Sequence, residues 1–357
     1  MNLNEDERSK IFSIFENIKA EKKLADEQGL TAVKRKEVLL VDGYNTFIRC
    51  FAAIPTLNED GMHTGGMSGF LKSVGSAIKL LKPDRCVIVF DGPGGSMKRR
   101  KIFPEYKAHR KSKIRLNRIY EEDTSLGDED ISMKKQLQRL VIYLQELPVN
   151  MISLDHVEAD DTIAHLATDY FKDWTSYIMS SDKDFLQLVN DRIQVWSPTK
   201  KQLYSPEKVL DEYGLLAENL VLYRTLDGDD SDCIPGIKGC GLKTVLKAFP
   251  YLRDGKAELK SLYDYSVANK GKLKVYDNIV ENWSVVERNF ELMQLTNTQL
   301  TTGDQLHVKD ALDKGFPKLN RFALAKLIVE DNLWNNIPNY QIWINDCFMK
   351  LDNLIKE

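Results

Sequence analysis

Three apolar segments that each stop at an aspartate constrain the fold of this chain more than any other feature. They are "EVLLVDGYN" (37–45), "RCVIVFDGPGG" (85–95) and "SYIMSSDKD" (176–184). Each is apolar without a break instead of alternating with polar residues, which is typical of a strand buried on both faces of a sheet. The chain therefore carries an acidic residue where each of three buried strands ends.

Helical periodicity between these segments completes the fold prediction. Apolar residues recur at helical spacing over 66–81, 131–147 and 159–171. Strands that alternate with helices indicate an α/β fold whose mostly parallel sheet is covered by helices on both faces. Because the carboxyl ends of parallel strands share one edge, where such folds bind ligands, we expect the three aspartates to meet there.

The domain organisation follows from where the strand signals stop. After "IQVWSP" (193–198) they become weaker, and helical patterns continue to the end of the sequence. We predict four parts, which are an N-terminal helical extension (1–36), a sheet domain (37–200), a helical domain (201–300) and a C-terminal helical segment (301–357).

Composition excludes several classes of protein. The chain has no run of about 18 apolar residues, and its acidic start, "MNLNEDERSK", does not resemble a signal peptide, so we expect a cytoplasmic protein without membrane contact. The five cysteines are odd in number and form no close pair, which argues against a disulfide framework or a zinc site. The net charge of −3 does not by itself predict a nucleic-acid partner.

The distribution of charge is more informative than its sum. Residues 98–118 contain ten Lys or Arg and one acid, whereas residues 121–130 contain six acids and no base. A charge run alone is usually a solvated helix face. Next to an acidic metal site, this basic stretch instead indicates contact with phosphates.

Carboxylates that follow the predicted strands and begin the predicted helices are the candidate metal ligands. They are Asp42, Asp91, Glu158, Asp160, Asp161, Asp182, Asp184, Asp229 and Asp232. Acids at a helix start can also be caps, but "VEADD" has too many for that role alone. We expect Asp182 and Asp184 to alternate along extended chain with a metal ion between them.

A cluster of ionised carboxylates repels itself unless cations bind to it. Oxygen ligands without His or Cys favour Mg²⁺ or Mn²⁺. Two such ions about 4 Å apart can stabilise both the attacking and the leaving oxygen of a phosphoryl displacement. The sequence therefore predicts two divalent cations and hydrolysis of phosphodiester bonds.

Seven segments in order resemble those of the 5′ nuclease family, which includes flap endonucleases, the phage ribonuclease H of 5′-exonuclease type and the 5′ nuclease domain of DNA polymerase I. They are "LLVDGYN", "TGGMSGFL", "VIVFDGP", "YKAHR", "VEADDTIA", "SSDKDFLQLV" and "LDGDDSDCIPGIKGCGLKT", within residues 38–250. The resemblance implies a PIN-like sheet with a basic helical arch at about 95–135. It also implies a magnesium-dependent 5′–3′ exonuclease or flap endonuclease that clears RNA primers or flaps in replication.

The resemblance also implies roles for particular residues. Asp42, Asp91, Glu158, Asp160 and Asp161 resemble the ligands of one metal ion, and Asp182, Asp184, Asp229 and Asp232 those of a second. Arg99 or Arg100 is expected to contact the scissile phosphate as a transition-state clamp. The residues Lys98, Lys107, Arg110 and Arg49 are expected to hold the nucleic-acid backbone, and Lys107 is also expected to belong, with Arg99 and Arg100, to the catalytic residues.

The segment "IPGIKGCGLKTVLKAF" resembles the helix-three-turn-helix motif with which this family binds duplex DNA. Glycines at Gly236, Gly239 and Gly241 would let the backbone approach phosphates, and Lys238 and Lys243 would pair with them. In the family, main-chain carbonyls of this loop also hold K⁺. The alternative is an ordinary glycine-rich connection between helices.

The implied partners are DNA with a 5′ flap, a nick or a 5′ duplex end, RNA/DNA hybrids, and replication proteins such as a single-strand binding protein or a sliding clamp. We expect a free-standing, monomeric nuclease, and the spacing of the arch favours a bacteriophage source and a location in the host cytoplasm. Two alternatives stay open: a PIN-like endoribonuclease and a non-catalytic protein that binds DNA junctions.

Overall fold

The computed structural model describes residues 35–108, 116–117, 126–298, 300–315 and 317–354. A six-stranded sheet lies at its centre in the order β3-β2-β1-β4-β5-β6, in which β6 alone is antiparallel to its neighbour. The strands are β1 (Glu37–Asp42), β2 (Arg85–Asp91), β3 (Asn150–Leu154), β4 (Thr175–Met179), β5 (Ile193–Ser197) and β6 (Gln202–Tyr204). This confirms the α/β fold with a mostly parallel sheet.

Helices cover both faces of the sheet and make up most of the chain beyond it. They are α1 (Gly43–Ala53), α2 (Gly65–Leu81), α3 (Met97–Ile102), α4 (Leu126–Gln145), α5 (Ala159–His165), α6 (Pro206–Tyr213), α7 (Leu220–Asp227), α8 (Leu242–Ala248), α9 (Leu259–Ala268), α10 (Lys274–Glu281), α11 (Trp283–Met293), α12 (Thr302–Asp313), α13 (Arg321–Glu330) and α14 (Tyr340–Asn353). A short two-stranded sheet, β7 (Gly228–Asp229) with β8 (Ile234–Pro235), lies between α7 and α8.

Strand β1 shows why the sheet must be covered on both sides. Its side chains alternate between two apolar cores: Val38 and Leu40 lie in one, Leu39 and Val41 in the other, and all four are fully buried. Burying a side chain of this size contributes about 1.5–3 kcal/mol. An uninterrupted apolar strand is therefore stable only with helices on both faces.

The register places the strand ends at one edge. Val41 lies opposite Ile88 of β2 and Met179 of β4, so the three strands finish within a few residues of one another. The next residue, Asp42, pairs with Val89, and β2 continues two residues further to Asp91. The predicted meeting of the strand-terminal acids is confirmed.

Several local expectations differ from the structure. Strand β3 was absent from the sequence prediction, because it is a short edge strand of five residues in which Met151 and Ser153 are not buried. The helix predicted over 159–171 ends at His165 and continues as one π-helical turn to Tyr170. The predicted extension (1–36) lies almost wholly outside the described residues, and the three boundaries between the four parts stay predictions.

In the described part of the chain, no helix is both long and apolar enough to cross a membrane.

Candidate active site

Acidic side chains from separate segments meet where the parallel strands end. Asp42 closes β1 and caps α1, where its carboxylate accepts hydrogen bonds from the Asn45 amide at 3.2 Å and the Ser180 hydroxyl at 2.9 Å. Asp91 closes β2, and its carboxylate accepts from the Ala159 amide at 2.8 Å. These bonds join the ends of β1 and β2 to the segment after β4 and to the start of α5.

The segment after β4 turns instead of staying extended. The Asp182 amide donates to Ser180 Oγ at 3.0 Å, and the Asp182 carboxylate accepts from the Asp184 amide at 2.8 Å. Lys183 between them has helical angles (φ −75°, ψ −18°), and a 3₁₀ helix begins at Asp184. The expectation that Asp182 and Asp184 alternate along extended chain is therefore wrong, because an aspartate side chain closes a turn here.

Arg99 is buried among these acids. Its Nη1 lies 2.8 Å from Glu158 Oε2 and 2.6 Å from Asp161 Oδ2, and its Nε donates to the Leu292 carbonyl at 2.9 Å. The residue is 3% exposed. Contact of Arg99 with a scissile phosphate does not agree with this geometry, because the side chain is buried and its Nε and Nη1 already donate to groups inside the protein.

Glu158 accepts hydrogen bonds from two further donors besides Arg99. Lys107 Nζ lies 2.7 Å from Glu158 Oε1, and the Tyr106 hydroxyl lies 3.0 Å from Oε2. Burial opposes ionisation, but Lys107 and Arg99 hold the pKa of Glu158 below its usual value. Lys107 also lies 3.8 Å from Asp232, so this lysine links two of the candidate ligands. Its side chain is mostly buried, which does not agree with the expected role on the nucleic-acid backbone.

Sequence reasoning missed Arg224. From helix α7, its Nε lies 3.0 Å from Asp184 Oδ1, and its Nη2 pairs with the Asp229 carboxylate. Its side chain is 14% exposed. The signal that could have found it was its position five residues before Asp229, on the helix that leads into "GDDSD".

Burial and mutual repulsion raise the pKa of four aspartates. Burial is the largest cause for each, and it raises the pKa of both Asp42 and Asp184 to about 7. Asp182 adds to the shift of Asp184, whereas Asp91 and Asp182 add to that of Asp42. The pKa of Asp160 is well above its ordinary value through burial, Asp182 and Asp42, and that of Asp182 is also raised. The acids thus act on one another as a single cluster.

The donor chemistry of this cluster fits a hard divalent cation, since its acids are carboxylates that repel one another. In the described ranges, however, no three His, Cys, Asp or Glu side chains are already arranged to hold an ion. Basic side chains instead pair with five of the nine acids: Glu158, Asp161, Asp184, Asp229 and Asp232. The residues fit the ion by chemistry, while their arrangement is that of an internally paired cluster.

The pKa values of Asp42 and Asp184 predict an unusual pH dependence of stability without metal. A carboxyl whose pKa is higher in the folded than in the unfolded protein favours the folded state at low pH, so stability falls as pH rises from about 4 to about 7. The lowered pKa values of Glu158 and Asp229 act below this interval. We expect the free energy of unfolding in EDTA to decline across it, and Mg²⁺ at pH 8 to restore stability.

Urea denaturation at several pH values between 5 and 8, with EDTA or with Mg²⁺, measures this effect. The double variant Asp42→Asn/Asp184→Asn is the control and should flatten the decline in EDTA. The lowered pKa values of His63 and His165 act in the opposite direction up to about pH 6.5, so the comparison with the double variant decides. An equal pH dependence of stability in the natural chain and in the double variant would contradict the prediction.

Three other residues predicted to contact phosphates, Arg49, Arg100 and Lys98, are partly exposed. Arg49 donates to Ser73 Oγ at 3.0 Å and is half-buried. Arg100 donates from Nε to the Tyr106 carbonyl at 3.2 Å and is half-exposed, as is Lys98. Arg110 lies outside the described residues. Of the pair Arg99 and Arg100, only Arg100 is exposed to a ligand.

A basic cavity of about 570 Å³ lies in the helical region. It is lined by Lys238, Gly239, Lys243, Thr244, Lys247, Leu273, Lys274, Val275 and Asn278. Gly239 has φ +87°, which favours glycine, and a Cβ on Gly236 would lie 1.9 Å from the Asp227 carbonyl oxygen. Lys238 and Lys243, which are predicted to pair with phosphates, both line this cavity. Two further lysines, Lys247 and Lys274, line it as well. Gly241 is exposed and precedes α8.

The connection before this cavity is more elaborate than a three-residue turn. Helices α7 and α8 are separated by residues 228–241, which contain β7, a 3₁₀ turn over Asp230–Asp232 and β8. The helix-three-turn-helix motif is therefore not confirmed, and it stays a prediction together with its K⁺ ion.

The sequence and the fold are both similar to those of known proteins. Residues 37–214 match the family model described as the 5′–3′ exonuclease N-terminal resolvase-like domain. The chain is 28% identical over 268 residues to a 5′–3′ exonuclease of Aquifex aeolicus, which covers 74% of this chain and 80% of that protein. It is 28% identical over 329 residues to a 5′–3′ exonuclease of Buchnera aphidicola, covering 90% and 96%.

Among solved structures, a bacteriophage T5 flap endonuclease, determined with DNA and metal ions, has a TM-score of 0.59 to this chain. The two are 19% identical, and the match covers 83% of this chain and 98% of that one. This likeness establishes a shared fold.

Proposed function

Since this chain belongs to the 5′–3′ exonuclease family, we propose that it hydrolyses phosphodiester bonds near 5′ ends and at junctions of single and double strands, as a structure-specific 5′ nuclease. Its substrates would be flapped, nicked or 5′-ended DNA and RNA/DNA hybrids, in the removal of flaps or RNA primers. One observation carries the proposal: the carboxylates at the ends of β1, β2 and β4 and at the start of α5 form one repelling cluster.

One divalent cation, Mg²⁺ or Mn²⁺, would bind at the unpaired side of this cluster, near Asp42, Asp91, Asp160 and Asp182. A second would need the carboxylates of Asp184 and Asp229. Such ions lower the pKa of water and stabilise charge on a phosphoryl oxygen. The raised pKa values of Asp42, Asp160 and Asp182 support this position, because a cation removes the repulsion that causes them in part. The T5 flap endonuclease structure, which shares this fold, was likewise determined with metal ions.

The chain's own basic residues would act at two distances from the reacting phosphate. Arg100 is the exposed arginine of the pair and is positioned by the Tyr106 carbonyl, so we assign it the contact with the scissile phosphate. Arg99 and Lys107 would instead keep Glu158 and Asp161 ionised and oriented. The lysine-lined cavity would hold the backbone of the duplex further away.

The finer expectations are part of the proposal and stay predictions. They are the identity of the metal, K⁺ at the glycine-rich loop, contact with a single-strand binding protein or sliding clamp, a monomeric state, a cytoplasmic location and a bacteriophage source.

Cleavage of a 5′-labelled flap in Mg²⁺, with EDTA as control, tests the function. Matched nicked, blunt and RNA/DNA substrates measure its preference. Faster cleavage of single-stranded RNA than of flap DNA would favour the endoribonuclease alternative. Tight binding of the flap without EDTA-sensitive cleavage would favour the alternative of a non-catalytic protein that binds DNA junctions.

Neutralising the basic cavity should weaken duplex binding without changing the chemistry. We expect Lys243→Ala with Lys247→Ala to raise the Kd for duplex substrates about tenfold or more and to lower the slope of log K against log salt by about 1 for each phosphate that the protein no longer neutralises. Fluorescence anisotropy at several salt concentrations measures both. Lys326→Ala is the control, since Lys326 is an exposed lysine on α13 whose partner is Glu330. An unchanged salt slope in the double variant would contradict the assignment.

A further inference from the structure

Arg224 links two acids that come from different parts of the chain. Asp184 follows β4 and begins a 3₁₀ helix, whereas Asp229 lies in β7 beyond α7. The guanidinium lies between their carboxylates, and its Nη1 also approaches the Gly228 carbonyl at 3.4 Å. Both acids are candidate ligands of the second metal ion.

We propose that Arg224 is a resident counter-cation, which bridges Asp184 and Asp229 while no divalent ion is bound and which must leave that bridge when an ion binds them. The inference rests on the proposed metal-dependent function, whose second ion would need these two carboxylates. It concerns the metal-free state and the affinity for the ion, not the cleavage step.

Arg224 and a divalent ion compete for the same carboxylate oxygens. A guanidinium offers planar paired donors that match carboxylates, and this pair is largely shielded from water. A carboxylate oxygen that accepts a hydrogen bond from Arg224 uses a lone pair that a metal ion would also need. The ion must therefore displace the arginine from that oxygen. Arg224 also offsets the repulsion between Asp184 and Asp229 in the metal-free protein, because its guanidinium lies between the two carboxylates.

The chain offers a matched control at Arg139. From α4, this arginine also bridges two acids, with Nε 2.8 Å from Asp331 and Nη2 2.7 Å from Glu330. These partners lie at the end of α13 and are not among the candidate ligands. Arg139→Gln thus removes an arginine bridge of the same kind without affecting the metal site.

Two linked measurements test the proposal at pH 8. Isothermal titration with Mn²⁺ should show one site about tenfold tighter in Arg224→Gln than in the natural chain. The melting temperature of Arg224→Gln should be lower in EDTA, and the deficit should close in saturating Mn²⁺, because a ligand that binds the folded state more tightly stabilises it more. Arg139→Gln should lower the melting temperature equally in EDTA and in Mn²⁺.

Unchanged or weaker Mn²⁺ binding in Arg224→Gln would overturn the proposal, since it would make Arg224 a permanent support of the ligands. If this variant does not fold, Arg224→Lys gives the second reading. Its charge is kept but the paired donors are lost, so it should bind Mn²⁺ more tightly than the natural chain does, and unchanged or weaker binding would overturn the proposal. The flap assay on the natural chain is separate. Loss of that activity removes the proposed function, whereas intact activity with equal Mn²⁺ affinities removes only this inference.

Discussion

Asp182→Asn is expected to lower flap cleavage by at least about 10³-fold while flap binding persists. Removing one carboxylate from the cluster takes away a ligand of the proposed cations, which contribute several kcal/mol of charge stabilisation in the transition state. The Asn side chain can still accept from the Asp184 amide, so the turn at this position should be kept. Single-turnover kinetics with saturating enzyme and Mg²⁺ measure the effect.

A neighbouring aspartate provides the control. Asp230 is exposed beside Asp229 and is predicted to be solvated, so Asp230→Asn should cleave at nearly the natural rate. Asp182→Asn should also be more stable than the natural chain in EDTA at pH 8, because it removes one charge from a repelling set. An inactive but less stable variant would therefore point to misfolding, and unchanged turnover would count against the metal assignment.

Arg99→Met should lower the free energy of unfolding by about 3–5 kcal/mol, the usual effect of removing one partner of a buried ion pair. Glu158 and Asp161 would both lose their ion pair with this arginine. Glu158 would keep its hydrogen bonds from Tyr106 and Lys107. Arg100→Met, one residue away, should change stability by roughly 1 kcal/mol or less and reduce cleavage about a hundredfold.

Urea denaturation and single-turnover cleavage of both variants separate these roles. The pair is matched in sequence position and in chemistry, and it differs only in burial. Natural stability in Arg99→Met would contradict the buried role, and a natural cleavage rate in Arg100→Met would contradict the phosphate contact.

What could be predicted from the sequence was the part that depends on local pattern. Continuous apolar strands that end in acids fixed the positions of Asp42, Asp91 and Asp182 at one sheet edge, because strand direction and burial follow from periodicity. The short strand β3 was missed, since its half-exposed residues carry no such signal.

Pairing between distant charges could not be predicted in the same way. Arg99 meets acids 59 and 62 residues away, and Arg224 meets Asp184 across 40 residues. In the sequence, Arg99 and Arg100 are adjacent arginines, and nothing in the local pattern shows which of them contacts a phosphate. Only the packing of α3 against α11 decides which of them is inside, because that packing brings the Leu292 carbonyl to Arg99.

Hydrogen bonds join the two ends of the site. The Lys107 amide donates to the Asp232 carbonyl at 2.9 Å, while the Gln187 side chain donates to the Met293 carbonyl and accepts from the Leu295 amide. The segment that matches the family model stops at residue 214, yet Arg224, Asp229 and Asp232 come after it. A chain cut at residue 214 would therefore lack all three of these residues. A fragment meant to keep the whole site must extend through α11.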